Sequence, residues 1–317
     1  MKLCIVTPAP PRSRKGNRVT ATRWASIARE LGNRVELAVA YERQACDALL
    51  AMHARRSHRS IKRFHDRCPH APLVVALTGT DLYHDLVRSE PARRSLQMAT
   101  RIIVLQRDAV NHLPRELREK TRVIYQSAVA PAGSCDPLRN VFEVTVIGHL
   151  RTVKDPFRAA MAARGLPVES KIHVVQLGEA LSESMARRAQ AEQQRSDRYV
   201  WLGDRPRGET MRRLARGRLL VISSKLEGGA NVLCEAIAAG VPVLASDISG
   251  NLGILGASYP GYFPVGDTGA LRELMIRAET DERFYQRLKT HCRRLAPLVT
   301  PEREKRALGK LLKEIAP

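Results

Sequence analysis

Short apolar segments alternate with amphipathic, arginine-rich segments along most of this 317-residue chain. Two strands that are joined through a helix must lie parallel to each other in the sheet that they share. The alternation therefore predicts parallel β-sheets that are covered by helices, which is an α/β fold. In the first half we predict strands over residues 3–7, 34–40, 48–52, 73–77, 101–105 and 122–124, and helices over 18–31 and 57–66.

A second series of strands and helices follows a segment rich in proline and small residues, Ala130 to Pro137. That composition is typical of a linker, and a chain of this length favours about two domains. We expect one Rossmann-like domain over residues 1–135 and another over 136–317, with the last helix, residues 300–317, packing back on the first. In the second half we predict strands over residues 142–147, 171–177, 200–202, 219–222 and 242–245, and helices from Pro156, over 281–294 and over 302–315.

The charge of the chain points to anionic partners. Its net charge is +21, and such an excess attracts polyanions, phosphorylated ligands or anionic lipid surfaces. Arginines on solvated helix faces would give the same total. The chain contains no apolar run of membrane-spanning length and begins with too short an apolar stretch for a signal peptide. Its six cysteines are scattered without a Cys-x-x-Cys pair, so we expect no disulfide framework, no metal site and a cytoplasmic location.

A glycine loop joins a strand to a helix in the second half. The strand Leu219 to Ile222 precedes the loop Glu227-Gly228-Gly229-Ala230, and a helix of small residues follows from Asn231 to just before Gly240. Free backbone N–H groups and the helix dipole make such a loop a phosphate-binding place.

Glu235 lies inside that helix, among residues such as Leu233, Cys234 and Ala236 that we expect to be buried. A buried charge needs a partner, and both hydroxyls of a sugar or ribose diol can donate to one carboxylate. The alternative is that Glu235 complements the positive end of the helix, since acidic residues are favoured in a first turn.

Glycines and polar residues collect where the predicted strands end. Ligands of parallel α/β domains bind outside the carboxyl ends of the strands, so these positions predict a ligand site at the strand ends and in a crevice between the two domains. The positions are Gly16, His53, Thr78 to Asp81, Gln126, Lys154, Glu227 and Asp247 to Gly253.

The spacing of Glu227 and Glu235, with Ala-Ala-Gly-Val-Pro-Val at residues 238 to 243, resembles the retaining glycosyltransferases of family 4. The resemblance implies the GT-B architecture, with two facing Rossmann-like domains and a cleft between them. It also implies that Glu235 binds the ribose of a nucleotide-sugar donor and that Glu227 binds the hydroxyls of the donor sugar. We expect no tightly bound cofactor, because the nucleotide sugar is a co-substrate.

The leaving diphosphate of such a donor needs positive charge and N–H donors where its own charge develops. The family has an arginine in the loop where this chain has His149 in Gly148-His149-Leu150, whereas Lys154 matches the family's lysine and Arg151 lies between them. A solvated helix lysine is the alternative for Lys154, and a plain turn is the alternative for Ser249 to Gly253. The expected donor-binding residues are Glu235, Arg151, Lys154, His149, Gly228, Gly229, Ala230, Asn231, Ser249, Gly250 and Asn251.

Five further segments carry a second resemblance: Thr7 to Pro11, Gly16 to Thr20, Leu50 to Ser57, Leu77 to Tyr83 and Val123 to Ser127. They are similar to the selenosugar synthases of bacterial selenoneine biosynthesis. That resemblance implies a reaction between a UDP-sugar, either UDP-N-acetylglucosamine or UDP-glucose, and selenophosphate, with formation of a carbon–selenium bond.

An anionic acceptor such as selenophosphate would need a basic pocket, for which Arg12, Arg14, Lys15, Arg18, Arg55 and Arg56 are candidates. His53, Glu227 and Lys154 are the expected catalytic residues, although a structural role for His53 stays open. Capping of a helix at Leu82 is the favoured interpretation of Asp81. The expected acceptor-binding residues are Gly16, Asn17, Arg18, Arg55, Thr80, Asp81 and Gln126.

Two other functions are compatible with parts of the sequence. A glycosyltransferase of the same fold could act on a lipid, a glycan or another small acceptor. A polyanion- or nucleic-acid-binding protein could use a Rossmann-like shell, but aromatic residues make up only 4% of the chain, which is few for stacking bases. The sequence also has no helix-turn-helix or zinc-finger pattern.

Overall fold

The computed structural model describes residues 1–13, 15–133 and 136–316. Arg14 of the expected basic pocket, and Ser134 and Cys135 of the expected linker, lie outside the described residues. The chain divides into two compact units. The first unit consists of Met1–Gln126, Glu227–Ala230 and Pro301–Pro317, and the second of Ser127–Leu226 and Asn231–Thr300.

The first unit contains a six-stranded sheet in which all neighbours are parallel, in the order β2-β1-β3-β4-β5-β6. All six strands agree with the prediction to within two residues at each end, because each one is a compact apolar run. The strands are β1 (Lys2–Val6), β2 (Arg34–Ala38), β3 (Ala48–Met52), β4 (Leu73–Ala76), β5 (Arg101–Val104) and β6 (Thr121–Val123).

Side chains of successive strand residues point to opposite faces of the sheet, and each face has its own core. Leu3 and Ile5 of β1 belong to one cluster, whereas Cys4 and Val6 belong to the other. The helices associated with this unit are α1 (Gly16–Glu30), α2 (His58–Arg67), α3 (Leu86–Arg88), α4 (Glu90–Met98), α5 (Arg115–Arg118) and α13 (Pro301–Glu314).

The second unit contains another six-stranded parallel sheet, in the order β12-β11-β10-β7-β8-β9. Five of its strands were predicted. The sixth, at Tyr262–Phe263, is only two residues long, which is too short to show the pattern of apolar residues by which a strand is predicted. The strands are β7 (Phe142–Ile147), β8 (Ile172–Leu177), β9 (Tyr199–Trp201), β10 (Leu219–Ile222), β11 (Val243–Ser246) and β12 (Tyr262–Phe263).

Some helices of the second unit begin at a side chain that accepts a hydrogen bond from the backbone of the first turn. Ser182 accepts from the N–H of Met185, Asp267 from Ala270 and Asp281 from Phe284, which satisfies donors that a helix start leaves free. The helices are α6 (Arg158–Ala163), α7 (Glu183–Arg195), α8 (Arg207–Arg216), α9 (Asn231–Ala238), α10 (Ser249–Leu255), α11 (Thr268–Thr280) and α12 (Glu282–Leu295).

The described residues include no helix that combines enough length with enough apolar character to traverse a bilayer. The five described cysteines are free thiols. Parallel sheets of buried strands between helices confirm the predicted α/β class.

A buried carboxylate attaches α13 to α1. Glu304 is 1% exposed, and it accepts hydrogen bonds from the indole Nε1 of Trp24 at 2.7 Å and from Nε of Arg23 at 2.7 Å. Around this ion pair, Leu308, Leu311 and Leu312 of α13 join the core on the α1 side of the first sheet. The charge of Glu304 is therefore neutralised and hydrogen-bonded within an apolar contact.

Replacing Glu304 with alanine is expected to destabilise the protein by about 3 kcal/mol, because it leaves an indole N–H and a guanidinium without their acceptor. Urea denaturation followed by circular dichroism measures this change. Lys310→Ala is the matched control, since Lys310 is exposed on the same helix, and it should leave the midpoint nearly unchanged. Equal midpoints for the two variants would contradict a structural role for Glu304.

Candidate active site

The loops after β7 and β10 lie side by side in the second unit, because β10 pairs with β7. The backbone N–H of Lys225 donates to Val153 O at 2.9 Å, and Ser223 Oγ donates to Asp155 O at 2.8 Å. These bonds hold the single 3-10 turn Thr152–Lys154. Lys154 is half-buried in it and Arg151 is exposed just before it. Lys154 thus ends a 3-10 turn beyond the carboxyl end of β7. It does not lie on a solvated α-helix, so the alternative interpretation is wrong.

His149 lies on the same loop, directly after Gly148, which follows β7. Another glycine, Gly178, follows the neighbouring strand β8. Gly148 and Gly178 have φ angles of 150° and 144°, and a Cβ on Gly178 would overlap the carbonyl group of Gly148. His149 Nδ1 is 3.9 Å from a carboxylate oxygen of Glu179 and has no hydrogen-bond partner among the described residues. A half-buried imidazole is thereby held at the ends of β7 and β8.

Glu235 is the fifth residue of α9, and no acidic residue lies in the first turn of that helix. The interpretation that Glu235 complements the helix dipole is therefore wrong, because the dipole effect is confined to the first turn. The side chain is buried, with the residue 7% exposed. Its Oε1 is 2.7 Å from Nη1 of Arg207, a residue that the sequence analysis did not single out.

Ser249, Gly250 and Asn251 form the first turn of α10. The alternative interpretation of Ser249 to Gly253 as a plain turn is therefore wrong, whereas donor binding by Ser249, Gly250 and Asn251 stays a prediction. Two glycines and an asparagine in five residues suggested a turn, but the buried amide of Asn251 donates to Ser246 O at 2.9 Å and holds the helix against the end of β11. Ser246 Oγ in turn donates to Ser224 O at 2.5 Å, which ties this turn to the segment after β10.

The glycine loop Glu227–Ala230 is grouped with the first unit. A Cβ on Gly228 would lie 2.5 Å from Thr78 O, and one on Gly229 would lie 2.8 Å from Cβ of Leu105. Both glycines are therefore required by close packing within this unit, in addition to any N–H groups that they offer to a ligand. Asn231, the next residue, begins α9.

Asp81 connects the loops after β3 and β4. Its carboxylate is fully buried and accepts hydrogen bonds from the backbone N–H groups of Thr78 at 2.8 Å, Gly79 at 2.9 Å and Ala54 at 3.0 Å. An N-cap would accept from residues that follow it, so the expected capping of a helix at Leu82 is wrong. Asp81 fixes the positions of both loops.

His53 is 2% exposed and adopts a φ of 74°, in the left-handed region that a histidine seldom enters. Its Nδ1 accepts from the N–H of Arg56 at 3.3 Å, so the ring proton lies on Nε2. Burial lowers the pKa of His53, against the opposing effect of the Asp81 carboxylate. Nε2 is 4.0 Å from Asp85 Oδ2 and has no hydrogen-bond partner among the described residues.

Four buried polar atoms of the first unit have no hydrogen-bond partner in the part of the chain that the structure describes: Thr7 Oγ1, Arg18 Nη1, His53 Nε2 and Gln126 Oε1. Thr7 and His53 follow the neighbouring strands β1 and β3. The amide of Gln126 donates to Thr20 Oγ1 at 2.7 Å, which ties it to the helix that carries Arg18. Since buried polar groups are normally hydrogen-bonded, these atoms indicate a polar ligand site, and we call them the unpaired cluster.

The other expected acceptor residues lie around these elements. Gly16 is exposed at the start of α1, Asn17 follows it half-buried, and Thr80 is half-buried beside Asp81. Arg55 is exposed, and its Nε donates a hydrogen bond to Asp85 Oδ2 at 2.7 Å. One N–H group of its guanidinium is therefore already bound to a buried carboxylate. Thr7, which completes the unpaired cluster, was quoted within a motif but not proposed as a site residue.

Comparison with known proteins agrees with this fold. Residues 139–294 match the model of the family Glycosyl transferases group 1. No curated protein sequence matches the chain.

Several solved structures superimpose on almost the whole chain. Sucrose-phosphate synthase from Thermosynechococcus elongatus is 14% identical with a TM-score of 0.82, and the match covers 99% of this chain and 98% of that one. Anabaena HepE in complex with UDP-glucose is 15% identical with a TM-score of 0.79, covering 99% and 100%. A glycosyltransferase from Rickettsia africae is 13% identical with a TM-score of 0.72, covering 99% and 98%.

At these identities the superpositions establish the fold, and the family match covers the strands and loops that carry Lys154, Arg207 and Glu235. The chain therefore has the GT-B fold with a group 1 glycosyl transferase domain over residues 139–294, and it is a glycosyltransferase.

Proposed function

We propose that this enzyme transfers a sugar from a UDP-sugar, UDP-N-acetylglucosamine or UDP-glucose, to selenophosphate. The selenium atom attacks the anomeric carbon, the bond from that carbon to the diphosphate oxygen breaks, and UDP leaves. The unpaired cluster is the observation that carries the choice of an anionic acceptor, because three of its four groups can donate a hydrogen bond. The sequence segments shared with selenosugar synthases supply the identity of the anion.

The donor part of the proposal rests mainly on residues of the second unit. Lys154 and Arg151 follow β7, where they would neutralise the charge that develops on the leaving diphosphate. His149 would add an imidazole in place of the arginine of related enzymes. The buried carboxylate of Glu235 would accept from the ribose hydroxyls, and Glu227 would bind the donor sugar. UDP is the proposed nucleotide because HepE, which shares the fold, was solved with UDP-glucose.

The acceptor part requires no strong general base. Selenophosphate is itself an anionic nucleophile, so the protein needs to position it and to balance its charge. In the first unit Arg18 supplies a cation, while neutral His53 supplies a proton donor at Nε2. Gln126 Oε1 can accept from a hydroxyl of the acceptor or the sugar.

A glycosyltransferase that uses a lipid or glycan acceptor is the second candidate, and the net charge of +21 is the observation that favours it. Positive surfaces bind anionic lipid vesicles in a salt-sensitive way. Strong pelleting with anionic vesicles, together with transfer to a lipid acceptor, would favour this candidate over selenophosphate.

Incubation of the purified protein with selenophosphate and a panel of UDP-sugars should release UDP and form a selenosugar. Mass spectrometry would identify the product by its selenium isotope pattern, and the yields would rank the donors. Omission of selenophosphate is the control. Release of UDP without selenium in the product would reject the acceptor while keeping the glycosyltransferase, and no release with any UDP-sugar would reject the nucleotide.

Alanine at Lys154 or Glu235 should impair the reaction for different reasons. Lys154→Ala should lower kcat by on the order of 100-fold, since it removes charge stabilisation of the leaving group. Glu235→Ala should abolish turnover without unfolding the protein, because the ribose loses its acceptor.

Steady-state kinetics and thermal melts measure the effects of both substitutions. Lys171→Ala, an exposed lysine of the same unit, is the control, and unchanged kinetics in Lys154→Ala would shift the phosphate role to Arg151 or His149.

Folding stability should depend on pH through His53. Its folded pKa lies below the unfolded value of about 6.5, so the unfolded chain takes up the proton first as the pH falls. The stability that neutral His53 preserves is present above pH 6.5 and is lost as the pH falls from about 6.5 through the folded pKa. His53→Asn, which tolerates positive φ, should remove this loss.

Urea melts of the two proteins between pH 8 and pH 5 provide the measurement. The wild type should lose more stability over this range than His53→Asn does. Parallel curves would contradict a buried neutral imidazole at this position, whatever the activity of the variant.

A further inference from the structure

Arg207 is the side-chain partner that the structure gives to the buried carboxylate of Glu235. The 2.7 Å ion pair joins Nη1 of Arg207 to Oε1 of Glu235. The two residues belong to the same unit, on α8 and α9, which pack against each other. No part of the family resemblance in the sequence pointed to Arg207.

The ion pair is strongly asymmetric in its exposure. The side chain of Glu235 is 7% exposed, whereas that of Arg207 is 62% exposed. Among the described residues, no other side chain bonds the Glu235 carboxylate. A carboxylate at such a depth needs several donors to offset the loss of water. One arginine, bound through a single nitrogen, leaves acceptor capacity on Glu235 and several N–H donors on Arg207.

The position of Arg207 is fixed by the rest of α8. Arg213, further along the helix, donates to the buried carboxylate of Glu143 on β7 from Nε at 3.1 Å and from Nη2 at 2.9 Å. Arg207 is the first residue of α8 and follows the connection from β9, whose carboxyl end lies at the same edge of the sheet as that of β7. This edge is where a parallel α/β domain binds its ligand.

We infer that Arg207 is a nucleotide-binding residue, which orients the Glu235 carboxylate toward the ribose and itself donates to the nucleoside diphosphate. The inference rests on the proposed role of Glu235 in binding UDP and is independent of the acceptor. The guanidinium holds one oxygen of Glu235, so the second oxygen faces the diol in a fixed direction. Its other N–H groups meet the anionic ligand, because a guanidinium can bond two acceptors in its plane.

Calorimetric titration with UDP and with 2′-deoxy-UDP tests both parts of this inference on the full-length protein. Arg207→Ala should weaken UDP binding by about tenfold, which corresponds to the loss of one charge-assisted contact. The preference for UDP over its 2′-deoxy analogue should also shrink, because Glu235 is no longer oriented. Arg207→Lys should restore part of the UDP affinity through its charge, but not the ribose preference, since lysine lacks the planar fork.

Arg212→Ala is the matched control, since it removes the same charge from an exposed position on the same helix. It should leave both affinities unchanged. An Arg207→Ala variant that binds UDP as tightly as the wild type, or more tightly, would overturn the inference. Equal weakening by Arg212→Ala would assign the effect to the general charge of the helix and would also overturn it. Failure of the wild type to bind UDP would instead reject the proposed nucleotide.

Discussion

The carboxylate of Asp81 sets the geometry of the candidate acceptor site. It is fully buried and accepts hydrogen bonds from three backbone N–H groups, which belong to the loops after β3 and β4. Those bonds hold the turn in which His53 adopts its positive φ. Backbone strain of this kind persists only where the surroundings impose it. The position of the His53 imidazole therefore depends on the Asp81 carboxylate, which does not itself have to contact the ligand.

Three buried carboxylates in this chain separate structural from functional roles. Asp81 is satisfied by backbone donors, and Glu304 is satisfied by the Trp24 indole and the Arg23 guanidinium. Glu235 differs because its side-chain partner, Arg207, bonds only one of its two oxygens and does so through a single nitrogen. A satisfied carboxylate stabilises the fold, while one with spare acceptor capacity at the edge of a parallel sheet is suited to a ligand. The contrast supports a ribose role for Glu235 from geometry as well as from its spacing to Glu227.

Sequence patterns predicted the sheets better than they predicted the site. Apolar runs reveal central strands, whereas the two-residue strand at Tyr262–Phe263 offers no period. The turn-like composition of Ser249 to Gly253 concealed α10, because the buried amide of Asn251 outweighs local propensity. Arg207 and Thr7 gave no signal, since the roles that we propose for them depend on partners that are distant in sequence. Hydrogen-bond directions, such as those of Asp81, are likewise set by tertiary contacts.

The excess of arginine is best understood from where the guanidinium groups lie. Many of them satisfy carboxylates of helices and strands, as Arg213 does at Glu143 on β7 and Arg94 does at Glu90 on α4. Those ion pairs add no net charge, so the field that draws anionic substrates toward the protein comes from the excess of +21 that they leave unbalanced. Arg18 and Arg207 differ, because each has guanidinium N–H groups without an acceptor among the described residues and lies near the start of a helix that follows a strand of a parallel sheet. Long-range attraction is thus a property of the whole surface, whereas recognition requires arginines with spare donors near the carboxyl ends of the strands.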